Sequence, residues 1–417
     1  MGSLGSRQRL EVERIRSAIR RRLSLDAGRF VVARGQRFDD TLIPAGLAPY
    51  GYDRARRDGS VNLGSLIDGG RVHAFRRRVQ KLRFVTDDDA PTLSTDDRFL
   101  RLARVAACGT PVISGEDLML PARLSAAVPV SGGDLTDPET HARIAFRQWS
   151  AVFDELVLPT VWEKVGRPTV SIVISTRRPS FARLWASQIT RQTYRNVQVV
   201  CAMHSHEFTD DHRSEIRSIL DGSGIAVRFV DVEAGTSLGL ALNTARRVAD
   251  GDVILKWDDD DLYSSNHVMD LLRARHYSHA PLVGKACDFV YLAGRDVLVR
   301  RHQADREAFS PTLSGNTLMI DRDALDAVGG WADVSVGEDA SLIARVRREG
   351  GQTYRTMGFG MIAVRQASSD RHTWNLDEES LIAGAVRTWP GLAVDQALVD
   401  TDGDIIDDVR RLAGGGR

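Results

Sequence analysis

The sequence predicts an α/β fold: a mostly parallel, mixed sheet flanked by helices, preceded by a smaller N-terminal α/β domain. Three observations carry this. From about residue 160, short β-branched runs alternate with helix-like segments, the pattern of βαβ units. The text changes character at VWEKVGRPTV (161–170), where Gly and Pro precede an apolar run, which puts a domain boundary near Gly166. A run of four aspartates, Asp258 to Asp261, follows the strand-like DVILKW directly, at the strand end where such sheets bind ligands.

In the first 165 residues, RFVVARG, LRFVTD and TPVIS read as short strands, and LRLARVAA as a helix ending before a Gly-Thr-Pro turn. The arginine-rich start places Leu10, Ile15, Ile19 and Leu23 roughly on one side of a helix. That stripe suits either docking on the protein or a peripheral contact with an anionic membrane. RVHAFRRRVQKLRF (71–84) reads as a solvated basic face.

Beyond the boundary the order is VSIVIST, FARLWASQITRQ, VQVVCAM, a polar helix, IAVRFVDV, LGLALNTARRVA and DVILKW. Short β-branched runs make strands, and segments with apolar residues three or four apart make helices, so the strands are joined by crossovers and lie parallel. The organisation expected is 1–165, 166–390 and a C-terminal tail, 391–417, whose final GGGR frays.

Composition limits the function classes. Lys plus Arg and Asp plus Glu both number 56 in 417 residues, so nothing global calls for nucleic acid, and any electrostatic function is local. Three widely spaced cysteines, Cys108, Cys201 and Cys287, fit neither a disulfide framework nor a zinc site. With no signal-peptide core and no membrane-length apolar run, a soluble, cytoplasmic protein is expected, with the membrane surface as its one alternative contact.

Four adjacent carboxylates repel one another, and a hard divalent cation relieves that best. Mg2+ or Mn2+ suits oxygen ligands and commonly takes one or two carboxylates plus substrate phosphates. An EF-hand is excluded, because the run lacks the central glycine and the closing glutamate. The plain alternative is an acidic loop capping the helix that begins near Ser264 or Ser265. A second pair, Glu338-Asp339 in VGEDASLIARV, reads either as first-turn acids favoured by the helix dipole or as a catalytic pair.

VSIVISTRRP, SQITRQTYRNVQVV, LGLALNTARRVADGDVILKWDDDDLYSSNHV and GGWADVSVGEDASLIARVRREGG occur in the order seen in family 2 glycosyltransferases, and residues 168 to 375 resemble that family throughout. The resemblance implies the GT-A nucleotide-diphospho-sugar transferase fold and a metal-dependent, inverting transfer of a sugar to an acceptor hydroxyl. It implies a DXD motif, with Asp258 and Asp260 as its two aspartates. Asp260 would be the direct manganese or magnesium ligand, Asp258 would meet the ribose or the metal's water shell, and Asp259 lies between them on the nucleotide-sugar side. Asp339 would be the general base, and Glu338 its support. His372, in SSDRHTWN, would complete the metal site or be structural, and Trp374 would line the acceptor side or belong to the core. Ser175, Thr176, Arg177 and Arg178 would seat the nucleotide. Asn243 would lie beside it or be a helix-interior polar residue, and Lys256 would screen the carboxylates or reach a phosphate.

A UDP-sugar is the expected donor, and the acceptor class stays open between a glycan, a lipid-linked glycan and a protein. The family usually shows an aspartate for the base after the second strand, where this chain reads VVCAMHSHEF. That leaves the mode of base recognition open. SGNTLMIDRDAL (314–325) resembles the acceptor-side strand, with Gly315 and Asn316 allowing close approach or forming a plain turn. Lys285 reads as structural or acceptor-side, and His267 as a surface or packing residue.

LRLARVAACGTPVIS (100–114) resembles the end of the sugar-nucleotide half of GT-B glycosyltransferases, but Arg104 stands where that fold carries a ribose-binding glutamate. Residues 1–165 are therefore expected to be a reduced, non-catalytic module for acceptor binding or assembly. Two other functions fit acidic residues on an α/β sheet. A sugar-phosphate nucleotidyltransferase would want a Gly-rich basic loop after the first strand, and TRRPSF has no glycine. A dead carbohydrate-binding scaffold would have no chemical need for both DDDD and GED.

Overall fold

The computed structural model describes residues 60–62, 84–86, 106, 112–113, 137–204, 207–301, 306–367 and 378–414. The chain divides into two units, Met1–Arg167 and Pro168–Arg417.

In the first unit, strands β1 (Ser60–Asn62), β2 (Phe84–Thr86) and β3 (Val112–Ile113) form a small parallel sheet. The expected strands LRFVTD and TPVIS contain β2 and β3; RFVVARG, Arg104 and the arginine-rich start lie outside the described residues. Helix α1 (Pro138–Val152) begins at a strong stop-start signal. Asp137 accepts from Thr140 N at 3.0 Å, and Pro138 takes the first helical position, where its missing N–H costs nothing. A π-helical turn, Phe153–Val157, leads into α2 (Leu158–Val165), which stops at Gly166 with φ of 82°.

The second unit holds two mixed sheets. The larger is assembled from β4 (Val170–Thr176), β5 (Val197–Met203), β6 (Val227–Asp231), β7 (Val253–Trp257), β9 (Leu282–Lys285), β12 (Ala308–Phe309), β13 (Met319–Asp321) and β14 (Thr353–Thr356). Their order is β12-β14-β9-β13-β7-β4-β5-β6. Pairs β4–β5, β4–β7, β5–β6 and β9–β14 run parallel; β13 is antiparallel to both β7 and β9, and β12 is antiparallel to β14.

The crossovers follow the sequence pattern. Helix α3 (Ala182–Thr190) joins β4 to β5, α4 (Asp210–Asp221) joins β5 to β6, and α5 (Leu238–Val248) joins β6 to β7. Thr209 caps α4, with its hydroxyl on His212 N and the His212 ring reaching back to Thr209 N; Ser237 caps α5 by accepting from Leu240 N at 3.2 Å. Alternate residues of the central strands face one core, in which Val173, Val200, Ile254, Leu282 and Ile320 meet Ala241 and Leu242 of α5 and Leu342 and Ile343 further along. Each such aliphatic side chain, removed from water completely, contributes about 1.5–3 kcal/mol.

The second sheet was not legible in the sequence. Its order is β16-β11-β10-β15-β8, using β8 (Leu262–Tyr263), β10 (Phe289–Leu292), β11 (Val297–Arg301), β15 (Met361–Arg365) and β16 (Ala385–Pro390). β8 begins at the residue after the acidic run, so the four aspartates are strung between the two sheets. The remaining helices are α6 (His267–Ser278), α7 (Arg322–Ala327), α8 (Glu338–Arg348), α9 (Glu378–Ala383) and α10 (Gly403–Ala413). The stretch expected to be a tail is folded: Ile405, Val409 and Ala413 of α10 are buried, and Gly360 N donates to Ala397 O at 2.7 Å. An amphipathic spacing, IIDDVRRLA, carries that burial.

Candidate functional site

The four aspartates have four different environments. Asp258 is half-buried at the end of β7; its backbone N–H donates to Tyr263 Oη at 3.2 Å and its carboxylate lies 3.4 Å from Lys256 Nζ. Asp259 is buried, accepting from Thr176 Oγ1 at 2.5 Å and from Arg178 through both Nε and Nη2. Asp260 is half-buried, its Oδ2 accepting from Arg178 Nη1 at 2.9 Å and Gln366 Nε2 at 2.8 Å. Asp261 is buried, taking Asn316 Nδ2 at 2.5 Å and Val364 N at 2.7 Å. Asp261 therefore pins the acidic run to β15 and to the 3-10 turn Gly315–Thr317.

Two glutamines fix the backbone here. Gln188 Nε2 donates to Asp261 O at 3.0 Å while its Oε1 accepts from Tyr263 N at 2.7 Å. One helical turn on, Gln192 bonds Ser264 O and Val268 N in the same way. Both side chains are buried, so each loss would strand backbone groups away from water.

The second carboxylate pair opens α8. Gly337 precedes it in the left-handed region at φ of 81°, so the chain turns sharply and puts Glu338 and Asp339 in the first helical turn. The approach loop is held by α5. Asn243 accepts from Trp331 N at 2.9 Å and donates to Trp331 O at 2.8 Å, and Gly239 lets the loop close, since a Cβ there would come within 1.7 Å of Ala332 O.

Lys256 joins the two carboxylate groups. It is 3 % exposed, on β7, and its Nζ lies 2.6 Å from Asp339 Oδ2, 3.3 Å from Glu338 Oε1 and 3.4 Å from Asp258 Oδ1. Asp258 and Glu338, 80 positions apart in sequence, thus share one ammonium. Asp339 Oδ1 is buried with no hydrogen-bond partner. Gly315 abuts the same carboxylate: a Cβ would lie 2.1 Å from Asp339 Oδ2 and 2.9 Å from its Cγ.

Electrostatics follow from crowding and burial. Burial pushes Asp339 up to about 7 against the pull of Lys256, with Glu338 and Asp258 adding to the rise. Burial also pushes Asp259 up to about 6 despite Arg178, and raises Asp258 and, well above the carboxylate range, Asp261. Burial disfavours charge on Lys256 and Arg178, but the carboxylates around each outweigh it and hold both above their ordinary values.

Where the sequence led us to expect the nucleotide, the carboxyl ends of β4 and β5 lie together, with Thr176 opposite Met203. His204, which follows β5, is buried; its Nε2 is 3.2 Å from Ser175 Oγ, and Arg177 Nε donates to its Nδ1 at 3.2 Å. Burial and Arg177 push the His204 ring down to about 4.

Several expectations are corrected. Arg178, expected to help seat the nucleotide, is turned onto Asp259 and Asp260 and offsets their charge. Asp259 and the Thr176 hydroxyl are engaged with each other rather than facing a ligand. Asn243 is committed on both amide atoms to the Trp331 backbone. Of the two roles open to Lys256, screening carboxylates is the one its contacts show. Lys285 is fully buried on Asp270 Oδ2 and Phe359 O, both at 2.6 Å, which is structural. His267 is a packing residue, its ring against Trp257 and Tyr263, and the helix starts there rather than at Ser264. Sequence reasoning missed Gln188, Gln192, His204 and Gln366. Two glutamines four apart in an otherwise apolar helical stretch were the available signal for the first pair. His372 and Trp374 lie outside the described residues.

Among the described residues, no three His, Cys, Asp or Glu side chains gather as a ready-made metal cage, and no helix is long and apolar enough to cross a membrane. The donor set still fits a cation that takes most of its ligands from phosphate and water. Asp258 and Asp260 each keep one carboxylate oxygen that accepts from no group among the described residues, on side chains 36 % and 17 % exposed.

No protein-family model matches the chain, and no curated protein matches it. Solved structures similar to the chain include the mannosyltransferase PcManGT from Pyrobaculum calidifontis in complex with GDP-Man and Mn2+, at 19% identity and a TM-score of 0.38 over 50% of this chain and 59% of that one. S. aureus TarS 1–349 is similar at 14% identity and a TM-score of 0.37, over 47% of this chain and 60% of that one. Its complex with UDP-GlcNAc gives 14% and 0.37 over 50% and 61%. The chain spans about three fifths of the length of these proteins, and likeness this low carries no role across to it.

Proposed function

We propose that the chain is a glycosyltransferase that moves a sugar from a nucleotide-diphosphate donor to an acceptor hydroxyl with inversion, Asp339 acting as general base. The observation that carries this reading is Asp339 itself. One oxygen is fixed by Lys256 at 2.6 Å, the other is buried and unpartnered, and Gly315 is pressed against the group. A carboxylate so held has one oxygen to offer, and its position near neutral pH suits proton abstraction from a hydroxyl.

The acceptor oxygen forms its new bond to the sugar carbon as the carbon–oxygen bond to the diphosphate breaks, and the hydroxyl proton passes to Asp339 Oδ1. Glu338 and Lys256 position the base. Asp258 and Asp260 would hold a divalent ion, manganese or magnesium, which would supply positive charge to the departing diphosphate. The nucleotide is read at the ends of β4 and β5, by Ser175 and Arg177. The acceptor would approach Asp339 beside Gly315, whose missing side chain is what lets the carboxylate pack there.

Titration calorimetry with GDP and UDP in Mn2+, followed by product analysis with a sugar-nucleotide panel, tests this. Nucleoside diphosphate released with glycosylated acceptor is expected, and Asp339→Asn should bind the nucleotide but not transfer. Release of pyrophosphate instead, or transfer by Asp339→Asn at the native rate, overturns it.

A further inference from the structure

We propose that Arg177, held by His204, selects guanine, so that the donor is a guanosine-diphosphate sugar rather than a uridine one; this rests on the nucleotide-sugar reading above. The argument begins with the imidazole. An arginine side chain only donates, so Nδ1 of His204, 3.2 Å from Arg177 Nε, is the ring's lone-pair nitrogen. The ring proton therefore sits on Nε2 and donates to Ser175 Oγ at 3.2 Å. His204 N also donates to Thr176 O at 3.1 Å, which locks the residue beside β4. The ring is neutral, as its burial beside a guanidinium requires.

Two consequences follow. Neither imidazole nitrogen is left to accept a base N–H, and no carboxylate stands at this position after β5. Arg177 is fixed through its Nε, while the edge formed by Nη1 and Nη2 has no partner among the described residues and the residue is exposed. That edge presents two parallel N–H donors, which match two adjacent acceptors on one edge of a flat ring.

The bases differ sharply in this respect. Guanine offers O6 and N7 side by side, whereas adenine pairs N7 with a donor amine. Uracil interposes its N3–H donor between two carbonyls, and a guanidinium leaves that donor unmatched. Cytosine has adjacent acceptors at O2 and N3, but O2 lies beside the glycosidic bond, where the ribose covers part of the edge. The O6–N7 edge of guanine faces away from its sugar, which makes guanine the best match. A bidentate pair of this kind discriminates by about 5-fold to about 150-fold.

The test is calorimetric titration of the full chain with GDP, UDP, CDP and ADP, each with Mn2+, on the native protein, Arg177→Met and Arg177→Lys. Because Arg177 is exposed, neither substitution threatens the fold, and a melting curve checks that. GDP should bind tighter than the other three by at least about 5-fold. Both variants should lose that preference while UDP affinity stays nearly constant, lysine failing because it keeps the charge without the fork. UDP, CDP or ADP binding as tightly as GDP overturns the guanine assignment alone. Equal weakening of GDP and UDP in Arg177→Met would put the guanidinium on a phosphate and also overturns it. If none of the four binds, the nucleotide-sugar reading fails and the guanine assignment with it.

Discussion

Lys256→Met removes the only ammonium, among the described residues, within reach of three carboxylates. The methionine keeps the length of the side chain, so packing on β7 changes little, but Asp339, Glu338 and Asp258 lose a cation at 2.6, 3.3 and 3.4 Å. Removing one partner of a buried pair typically costs about 3–5 kcal/mol, because the other charge is left uncompensated. Lys256 is 3 % exposed, so that range applies without much screening. Sign and pH window can be worked out as well. Asp339 stands at about 7 with Lys256 present and rises further without it, so below that value it is protonated and no longer in need of a cation. The loss should be largest near pH 8 and shrink toward pH 5.5. Urea denaturation at the two pH values measures it, and the double variant Lys256→Met/Asp339→Asn should recover a kilocalorie or more per mole at pH 8. A loss under about 1 kcal/mol at pH 8, or one that does not diminish at pH 5.5, would refute the claim that Lys256 is the shared counterion.

Gly315→Ala should barely fold differently but transfer poorly: the new Cβ sits 2.1 Å from Asp339 Oδ2 and 2.9 Å from Cγ, so rotating the carboxylate is not enough and the side chain must leave Lys256. A fall of about 100-fold in kcat with nucleotide affinity retained is expected, and steady-state kinetics beside calorimetry would show it. Transfer, measured as kcat/KM, should rise with pH through about 7 and then level, since Asp339 must be ionised to accept a proton; a flat profile from pH 5 to 8 contradicts its role. Asn243→Ala strands the buried N–H and C=O of Trp331 and should cost about 2–3 kcal/mol in urea unfolding while leaving GDP and UDP binding alone. Lost binding with unchanged stability would return Asn243 to the nucleotide.

The parallel crossovers and the ends of β4 and β7 were legible because they rest on local signals: alternation of β-branched runs with helical spacing, and Ser or Thr at helix starts. The second sheet was not, since β8 has two residues and its partner β15 begins 98 positions after β8 ends. Such pairing is a tertiary outcome that no window of sequence contains. The candidate site divides the same way. DDDD and GED stood out as unusual clusters, but charge adjacency along the chain says nothing of which carboxylate will meet a guanidinium. Arg178 was legible as a cation near the nucleotide loop; its pairing with Asp259 and Asp260 depends on how β4 and β7 align, Ile174 opposite Trp257. His204 was hidden for a different reason. Its meaning lies in an absence, the expected aspartate, and in a tautomer fixed by contacts from another strand end.

The charge balance of the site gives a reason for the acidic run that capping does not. Asp258, Asp259, Asp260, Asp261, Glu338 and Asp339 are six carboxylates gathered around two cations, Lys256 and Arg178. A helix cap needs one acceptor and is satisfied by a serine or a single aspartate; it gains nothing from five more like charges that repel one another. Asp261 has donors on both oxygens, and Asp259 has Arg178 and Thr176, so the structural uses of the run are already filled. What those uses leave over is a free oxygen on Asp258, one on Asp260 and one on Asp339. In the proposed reaction a diphosphate would bring both charge and oxygen ligands to the first two, and a hydroxyl would bring a proton to the third. Lys256 stands between them. Its single charge suffices to hold the base and the edge of the acidic run in place, and falls short of neutralising both. In the proposed reaction a divalent ion held by Asp258 and Asp260 would supply that difference, and Lys256 would be left to bear on Asp339.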